Sequence, residues 1–225
     1  MSKFKTQTGD IPFHIPGIPK PASTWYKLHT DPSLPHPTLI TIHGGPGAGH
    51  DYLTPLLDLH NHHNLPLLFY DSIGSGKSTH FRDKQKNQNF WTLDLYVREL
   101  DNLIEQLGLQ NGRGFFLLGH SWGGVVASTY AARQPRGLKK LIIASGPADI
   151  NLYIKGTRGL LKELQQEVRE TIEECEKKGD YTSPKYEVAK AVFLQRHVCR
   201  LGTWPQDMLT AFANLGDDPT AYLTL

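Results

Sequence analysis

Ser121 stands in Gly119-His120-Ser121-Trp122-Gly123-Gly124, a G-x-S-x-G pattern between the apolar run Phe115-Phe116-Leu117-Leu118 and a helix-forming segment from Trp122 to Arg133. On a sharp strand-to-helix turn a serine takes strained dihedrals and its hydroxyl projects free above a sheet. The neighbouring glycines are needed because a Cβ there would collide with the adjoining strand and helix. The chemistry this suits is acyl transfer: attack on a carbonyl carbon, with N–H donors waiting for the oxygen that becomes negative. The helix after Ser121 aims its first N–H groups and the positive end of its dipole at that oxygen, and the Trp122 backbone N–H is a natural donor. A second donor belongs in His43-Gly44-Gly45-Pro46-Gly47, where consecutive glycines let the backbone come close and Pro46 fixes the loop.

The elements that must position these groups read as an α/β pattern up to about Ala144, with short β-branched runs alternating with segments of helical period. Thr24 to His29 and Thr38 to His43 read as strands, Asp51 to His60 as a short helix, and Leu65 to Tyr70 as a strand buried on both faces with Pro66 at its start. Trp91 to Leu107 places Leu93, Val97, Leu100, Leu103, Ile104 and Leu107 on one helical face, with Thr92 as cap and Gly108 as terminator. Leu141 to Ala144 is the next strand. Beyond Gly146-Pro147 the strand signal stops and three amphipathic helices are expected. The first is lined by Leu161, Leu164, Val168 and Ile172, the second runs from Ser183-Pro184 to about Arg200, and the third from Pro205 through Phe212. The division expected is a core over 1–146 and a helical lobe over 147–225.

Composition narrows the class. With 225 residues, 24 Lys+Arg against 22 Asp+Glu and 39% hydrophobic residues, the chain is an ordinary globular sequence long enough to bury a core. The balanced charge argues against a nucleic-acid binder. Met1 to Thr8 lacks an apolar signal segment, no run approaches the roughly 18 apolar residues of a membrane span, and the reading is cytoplasmic with no membrane partner. Cys175 and Cys199 read as a pair of buried thiols. His60-Asn61-His62-His63 lacks a carboxylate or cysteine partner and reads as solvated surface, so neither a metal nor another cofactor is expected. Lys162 to Lys178 reads as a solvated helix face.

Taken together, His43-Gly44-Gly45-Pro46-Gly47, Asp71-Ser72-Ile73-Gly74-Ser75-Gly76-Lys77-Ser78 and Gly119-His120-Ser121-Trp122-Gly123-Gly124 resemble the proline iminopeptidases, serine aminopeptidases of the α/β-hydrolase fold. Arg196-His197-Val198-Cys199-Arg200 and Trp204-Pro205 resemble the helical cap of the branch that includes the tricorn-interacting aminopeptidase and fungal proline-specific peptidases. The resemblance covers most of the chain. It implies a mostly parallel sheet with flanking helices plus a helical cap. It matches the nucleophile to Ser121 and the oxyanion donors to the backbone N–H groups of Gly45 and Trp122, and it implies a small peptide or amide substrate with N-terminal proline or another small apolar residue. Ser72 departs from the pattern, which more often has glutamine there.

A triad of this fold also needs an acid and then a histidine after the serine in chain order. The only histidine after Ser121 is His197, expected mid-helix in the cap, and Asp149, Asp180, Asp207, Asp217 and Asp218 do not fall in strand-end loops. No acid or base is identified. The chain reads as C-terminally truncated, lacking the last part of the core. Three consequences are expected. Activity alone is negligible, since losing such a base costs on the order of 10⁶ in turnover; the Leu141-Ala144 strand becomes an exposed apolar edge; and the cap helices are loosely held.

Other readings are a non-catalytic remnant of a hydrolase fold, an esterase or amidase of the same fold, and a P-loop nucleotidase built on Gly74-Ser75-Gly76-Lys77-Ser78. An epoxide hydrolase would need an aspartate at Ser121. The P-loop spacing fails because Asp71 stands where glycine is required and its carboxylate would repel phosphate.

Overall fold

The computed structural model describes residues 5–31, 33 and 35–225; of the N-terminal segment read above, Met1 to Phe4 lie outside the described residues. It divides into two units, one of residues 1–146 and 206–225, the other of residues 147–205.

The first unit is built on a six-stranded mixed sheet. Its strands are β1 (Lys5–Phe13), β2 (Ala22–Thr30), β3 (Thr38–Ile42), β4 (Leu67–Tyr70), β5 (Phe115–His120) and β6 (Leu138–Ala144), in the order β1-β2-β4-β3-β5-β6. β1 pairs antiparallel with β2 and β2 antiparallel with β4, while β3 is parallel to both β4 and β5, and β5 to β6. All four residues of β4 are buried, as its unbroken apolar run requires, and Pro66 sits just before the strand, where its missing N–H costs nothing and its carbonyl accepts from Leu39 N–H at 2.8 Å.

The helices of this unit are α1 (Leu57–His63), α2 (Leu93–Gln106) and α3 (Trp122–Ala132), with a short 3-10 helix over Asp51–Leu56 ahead of α1. The expected helix at 51–60 therefore opens as a tighter 3-10 turn, with Pro55 inside it. α2 starts where the sequence puts it: the Thr92 side chain accepts from Leu95 N–H, and Leu95, Val97, Leu100, Leu103 and Ile104 are buried on its inner face.

β1 carries no strand signal in the sequence. Its residues are mostly exposed and polar, and Gly9 and Pro12 punctuate it; only Ile11 and Phe13 reach the core. At the opposite edge, β6 has the exposed apolar row expected of it, with Leu141, Ile142 and Ile143 at 37%, 45% and 50% exposure.

The second unit holds α4 (Ile150–Leu161), α5 (Gln166–Lys178) and α6 (Pro184–His197) around a small core of Leu161, Leu164, Ile172, Cys175, Tyr186 and Ala189. The single helix expected to carry Leu161, Leu164, Val168 and Ile172 is two. The chain leaves α4 through turns that close Lys162 N–H on Gly159 and Leu164 N–H on Leu161, and Gln165 is extended before α5 begins. The four side chains still meet in one cluster, because a break between two helices can keep the same residues facing inward. α4 itself escapes the sequence reading: Gly156 and Gly159 lower its propensity, while the Asp149 carboxylate caps it by accepting from Asn151 and Leu152 N–H. Both cysteines are free thiols; Cys175 is buried, and Cys199 is partly exposed beyond the end of α6.

The boundaries expected over 147–225 also change. α7 (Gln206–Asp217) and the segment after it belong to the sheet unit. Asn214 donates to Ala48 O at 3.0 Å and to the Asp51 carboxylate at 3.2 Å, Thr54 bonds to Asp207, and Arg82 pairs with Asp217 at 2.7 Å. His80 meets Asp218 at 2.6 Å, and Ala221 is fully buried in the main core. Helical period shows that a segment is a helix and does not show which body it packs on. Among the described residues, no helix is long and apolar enough to cross a membrane.

Candidate active site

Ser121 follows β5 directly and precedes α3, at φ 53° and ψ −121°, a region that L residues rarely occupy. The bend is held from both sides: Ser121 N–H donates to Ala144 O at 2.9 Å, and Ser121 O accepts from Gly124 N–H at 2.8 Å. The flanking glycines are there for close approach. A Cβ on Gly123 would lie 2.1 Å from Ile42 O, and one on Gly119 would lie 2.1 Å from Gly123 O, both backbone atoms with no freedom to yield. Trp122 is the first residue of α3, so its N–H has no intrahelical acceptor. Ser121 is partly exposed.

The loop after β3 lies against this turn. A Cβ on Gly44 would stand 3.0 Å from the Ser121 Cβ and 3.2 Å from the Tyr52 hydroxyl. Gly44 N–H donates to the Tyr52 hydroxyl at 2.7 Å, and that oxygen is also 2.7 Å from His120 Nδ1. Gly45 has φ +113°, a Cβ there would strike Gly47 N at 2.6 Å, and the Gly45-Pro46 peptide is cis. Among the described residues, Gly45 N–H has no acceptor. The structure thus brings the expected residues Gly45, Ser121 and Trp122 to one end of β3 and β5.

Buried polar groups fix the surrounding loops. Ser72 N–H donates to His43 Nε2 at 3.1 Å and the Ser72 hydroxyl lies 3.0 Å from the same nitrogen, while His43 Nδ1 faces Gly44 O at 2.8 Å. Burial holds the His43 pKa below the usual histidine range, so the ring is a neutral spacer. Ser72, the departure noted in the sequence, is short enough to meet this histidine directly. Asp71 accepts from His50 N–H and His50 Nδ1, both at 2.8 Å, and from Lys77 N–H at 3.0 Å. Burial opposes its charge, but the bond from His50 and the charges around it keep its pKa below the ordinary carboxylate value.

This arrangement agrees with the failed P-loop spacing. A loop that cradles phosphate turns its amides outward to an anion, whereas the Lys77 amide is turned onto Asp71 and Gly76 leaves no room for a Cβ, which would lie 2.4 Å from the Asp71 carboxylate. The Lys77 ammonium sits 4.3 Å from the Trp25 ring instead of over the loop.

Residues 37–224 match the α/β hydrolase fold family. The proline iminopeptidase of Saccharolobus solfataricus is 36% identical over 192 residues, which are 85% of this chain and 59% of that protein. The crystal structure of the Mycobacterium smegmatis proline iminopeptidase superposes with a TM-score of 0.80 at 34% identity, covering 96% of this chain and 69% of that one. The chain belongs to the proline iminopeptidase family of α/β hydrolases. The crystal structure of VinJ is a further neighbour, with a TM-score of 0.88 and 36% identity over 96% of this chain and 69% of that one. The chain spans about 60% of the length of the curated proline iminopeptidases it matches.

The family match agrees with the rejection of the nucleotidase alternative. His197 is the last residue of α6, in the second unit, with its ring 4.9 Å from that of Phe193. Among the described residues none hydrogen-bonds to the Ser121 hydroxyl. Tyr52 went unread in the sequence, because its partners Gly44 and His120 lie 8 and 68 residues away and no local pattern links them.

Proposed function

We propose that this chain carries the nucleophile half of a serine aminopeptidase site, acting on peptides or amides with an N-terminal proline or another small apolar residue. The strained Ser121 turn with the Gly44-Gly45 loop set against it carries the reading. Ser121 Oγ adds to the carbonyl carbon of the N-terminal residue, and the carbonyl π electrons move onto oxygen, where the Gly45 and Trp122 N–H groups hold the charge. Collapse expels the amine, which takes the proton that Ser121 gave up, and water then hydrolyses the ester. Among the described residues none hydrogen-bonds to the Ser121 hydroxyl to carry this proton. The chain alone therefore turns over negligibly.

The test is phosphonylation by a fluorophosphonate, read by intact mass. One adduct is expected on long exposure to excess reagent, formed slowly because no described base takes the Ser121 proton and lost in Ser121→Ala, with proline arylamide hydrolysis near background. A folded chain that takes no adduct overturns the reading, as does an adduct that survives Ser121→Ala. A second reading, a non-catalytic member of the fold, is favoured by the lack of any described acceptor for the Ser121 proton. It predicts the first of those overturning results.

A further inference from the structure

We propose that Tyr52 is a positioning residue, a strut whose hydroxyl ties the glycine loop after β3 to the turn that carries Ser121. This rests on the reading of Ser121 as nucleophile given above. The hydroxyl has one hydrogen bond on each side: it accepts from Gly44 N–H at 2.7 Å and meets His120 Nδ1 at 2.7 Å. His120 is the last residue of β5 and adjoins Ser121 in the chain. One oxygen atom therefore links the backbone of the glycine loop to the side chain of the residue that precedes Ser121. The rings add to the link, lying edge to face with centroids 5.3 Å apart.

The protonation states agree with this role. With Gly44 N–H already donating to it, the phenol is free to give its own proton to a bare His120 Nδ1, which needs a neutral imidazole and a retained phenolic proton. Burial lowers the His120 pKa and pushes that of Tyr52 up to about 12, so both conditions hold across the neutral range.

The strut also accounts for which glycine is the donor. Gly44 spends its amide on Tyr52, and the next amide, that of Gly45, is the one without an acceptor among the described residues. Tyr52 itself stands in the 3-10 helix that begins directly after the loop, so the loop is pinned by the residue that closes it. Oxyanion donors work only within a few tenths of an ångström of their place, and loss of one costs about 10²–10³ in rate.

The experiment uses the full 225-residue chain with Tyr52→Phe, which keeps the ring and removes the hydroxyl. Two readouts are taken: the phosphonylation rate of Ser121 by a fluorophosphonate, and amide hydrogen exchange at Gly44, with Leu68 in β4 as the internal control. The expected result is a rate at least about tenfold lower and Gly44 exchange at least about tenfold faster, with Leu68 unchanged. Equal labelling of the two proteins overturns the proposal, and so does unchanged Gly44 exchange.

A second pair of variants guards against simple misfolding. His120→Asn offers an oxygen near the place of Nδ1 and is expected to keep the labelling rate, while His120→Leu loses it. Equal rates in the two variants overturn the strut. If the unmutated chain takes no label, the nucleophile reading fails, and Gly44 exchange still decides the strut: faster in Tyr52→Phe supports it, unchanged overturns it.

Discussion

Glycines that leave no room for a side chain occur in the sheet unit and, among the described residues, not in the helical unit. In the sheet unit Gly119, Gly123 and Gly124 stand where a Cβ would meet backbone at 2.1 to 2.9 Å, and Gly44 and Gly76 stand against functional or buried side chains. In the helical unit Gly156, Gly159, Gly179 and Gly202 have nothing within 4 Å of a Cβ. The buried polar groups divide in the same way. Asp71, His43, His50 and Glu99 are all buried in the sheet unit, whereas the core of the helical unit is four aliphatic side chains with Cys175 and Tyr186. The sheet unit is held by exact distances between distant backbones, and the helical unit by local propensity and a small apolar cluster. Substitutions at these tight or buried polar positions of the first are therefore expensive, and those at the open glycines of the second are free or beneficial.

The largest expected effect is at the tightest contact. Gly123→Ala drives a methyl group into Ile42 O on the central strand β3, and urea unfolding is expected to show a loss of about 3 kcal/mol or more, with little folded protein recovered. A loss under about 1 kcal/mol would mean that the sheet and α3 can separate cheaply, and the contrast between units would collapse. Asp71→Ala comes next. It strands His50 N–H, His50 Nδ1 and Lys77 N–H together, and a loss on the order of 3 kcal/mol is expected in the same measurement.

Glu99 gives a pH signature. Its carboxylate accepts from Thr24 Oγ1 at 2.6 Å and from Ile73 N–H at 2.9 Å, yet burial dominates and pushes its pKa up to about 8. The folded state thus binds this proton more tightly than the unfolded state. The contribution is full below the ordinary value of 4.5, falls as pH rises, and levels off near pH 8. His43 and His120 act oppositely, because burial lowers their pKa and stability is lost as pH falls below the ordinary histidine value. The difference between the unmutated chain and Glu99→Gln isolates the carboxyl group. Between pH 5 and 8 the variant is expected to gain on the order of 2 kcal/mol relative to the parent, and parallel curves would refute the buried-proton account.

In the helical unit Gly156→Ala is expected to stabilise by up to about 1 kcal/mol, since α4 gains propensity and the methyl group enters open space. A loss there would show that α4 is packed against something on that face. The smallest stability effect is expected from Ile142→Lys on β6, within about 0.5 kcal/mol, because the side chain is already 45% exposed. Its effect belongs to association: light scattering should show the chain staying monodisperse to higher concentration once a charge interrupts the open apolar edge.

Much of the site was legible because its constraints are local. The bend at Ser121 needs small neighbours at fixed offsets, so Gly119, Gly123 and Gly124 announce it, and a loop that approaches it needs consecutive glycines, so Gly44 and Gly45 do the same. Thr92 and the spacing of Leu93 to Leu107 define α2 for equally local reasons. β1 was hidden because its polar, interrupted sequence is a strand only through pairing with β2. The break between α4 and α5 was hidden because the same four side chains satisfy one helix or two.

The sequence by itself determined the strand-turn-helix that lifts Ser121 and the family to which the chain belongs, since dihedral strain and close backbone approach restrict which residues can stand at each step. Tertiary structure alone decided that Tyr52 bridges Gly44 and His120, that Asp71 turns the Lys77 amide inward, and that 206–225 joins the sheet unit. Each of those depends on contacts between residues far apart in the chain, whose geometry exists only once the sheet has set their distance.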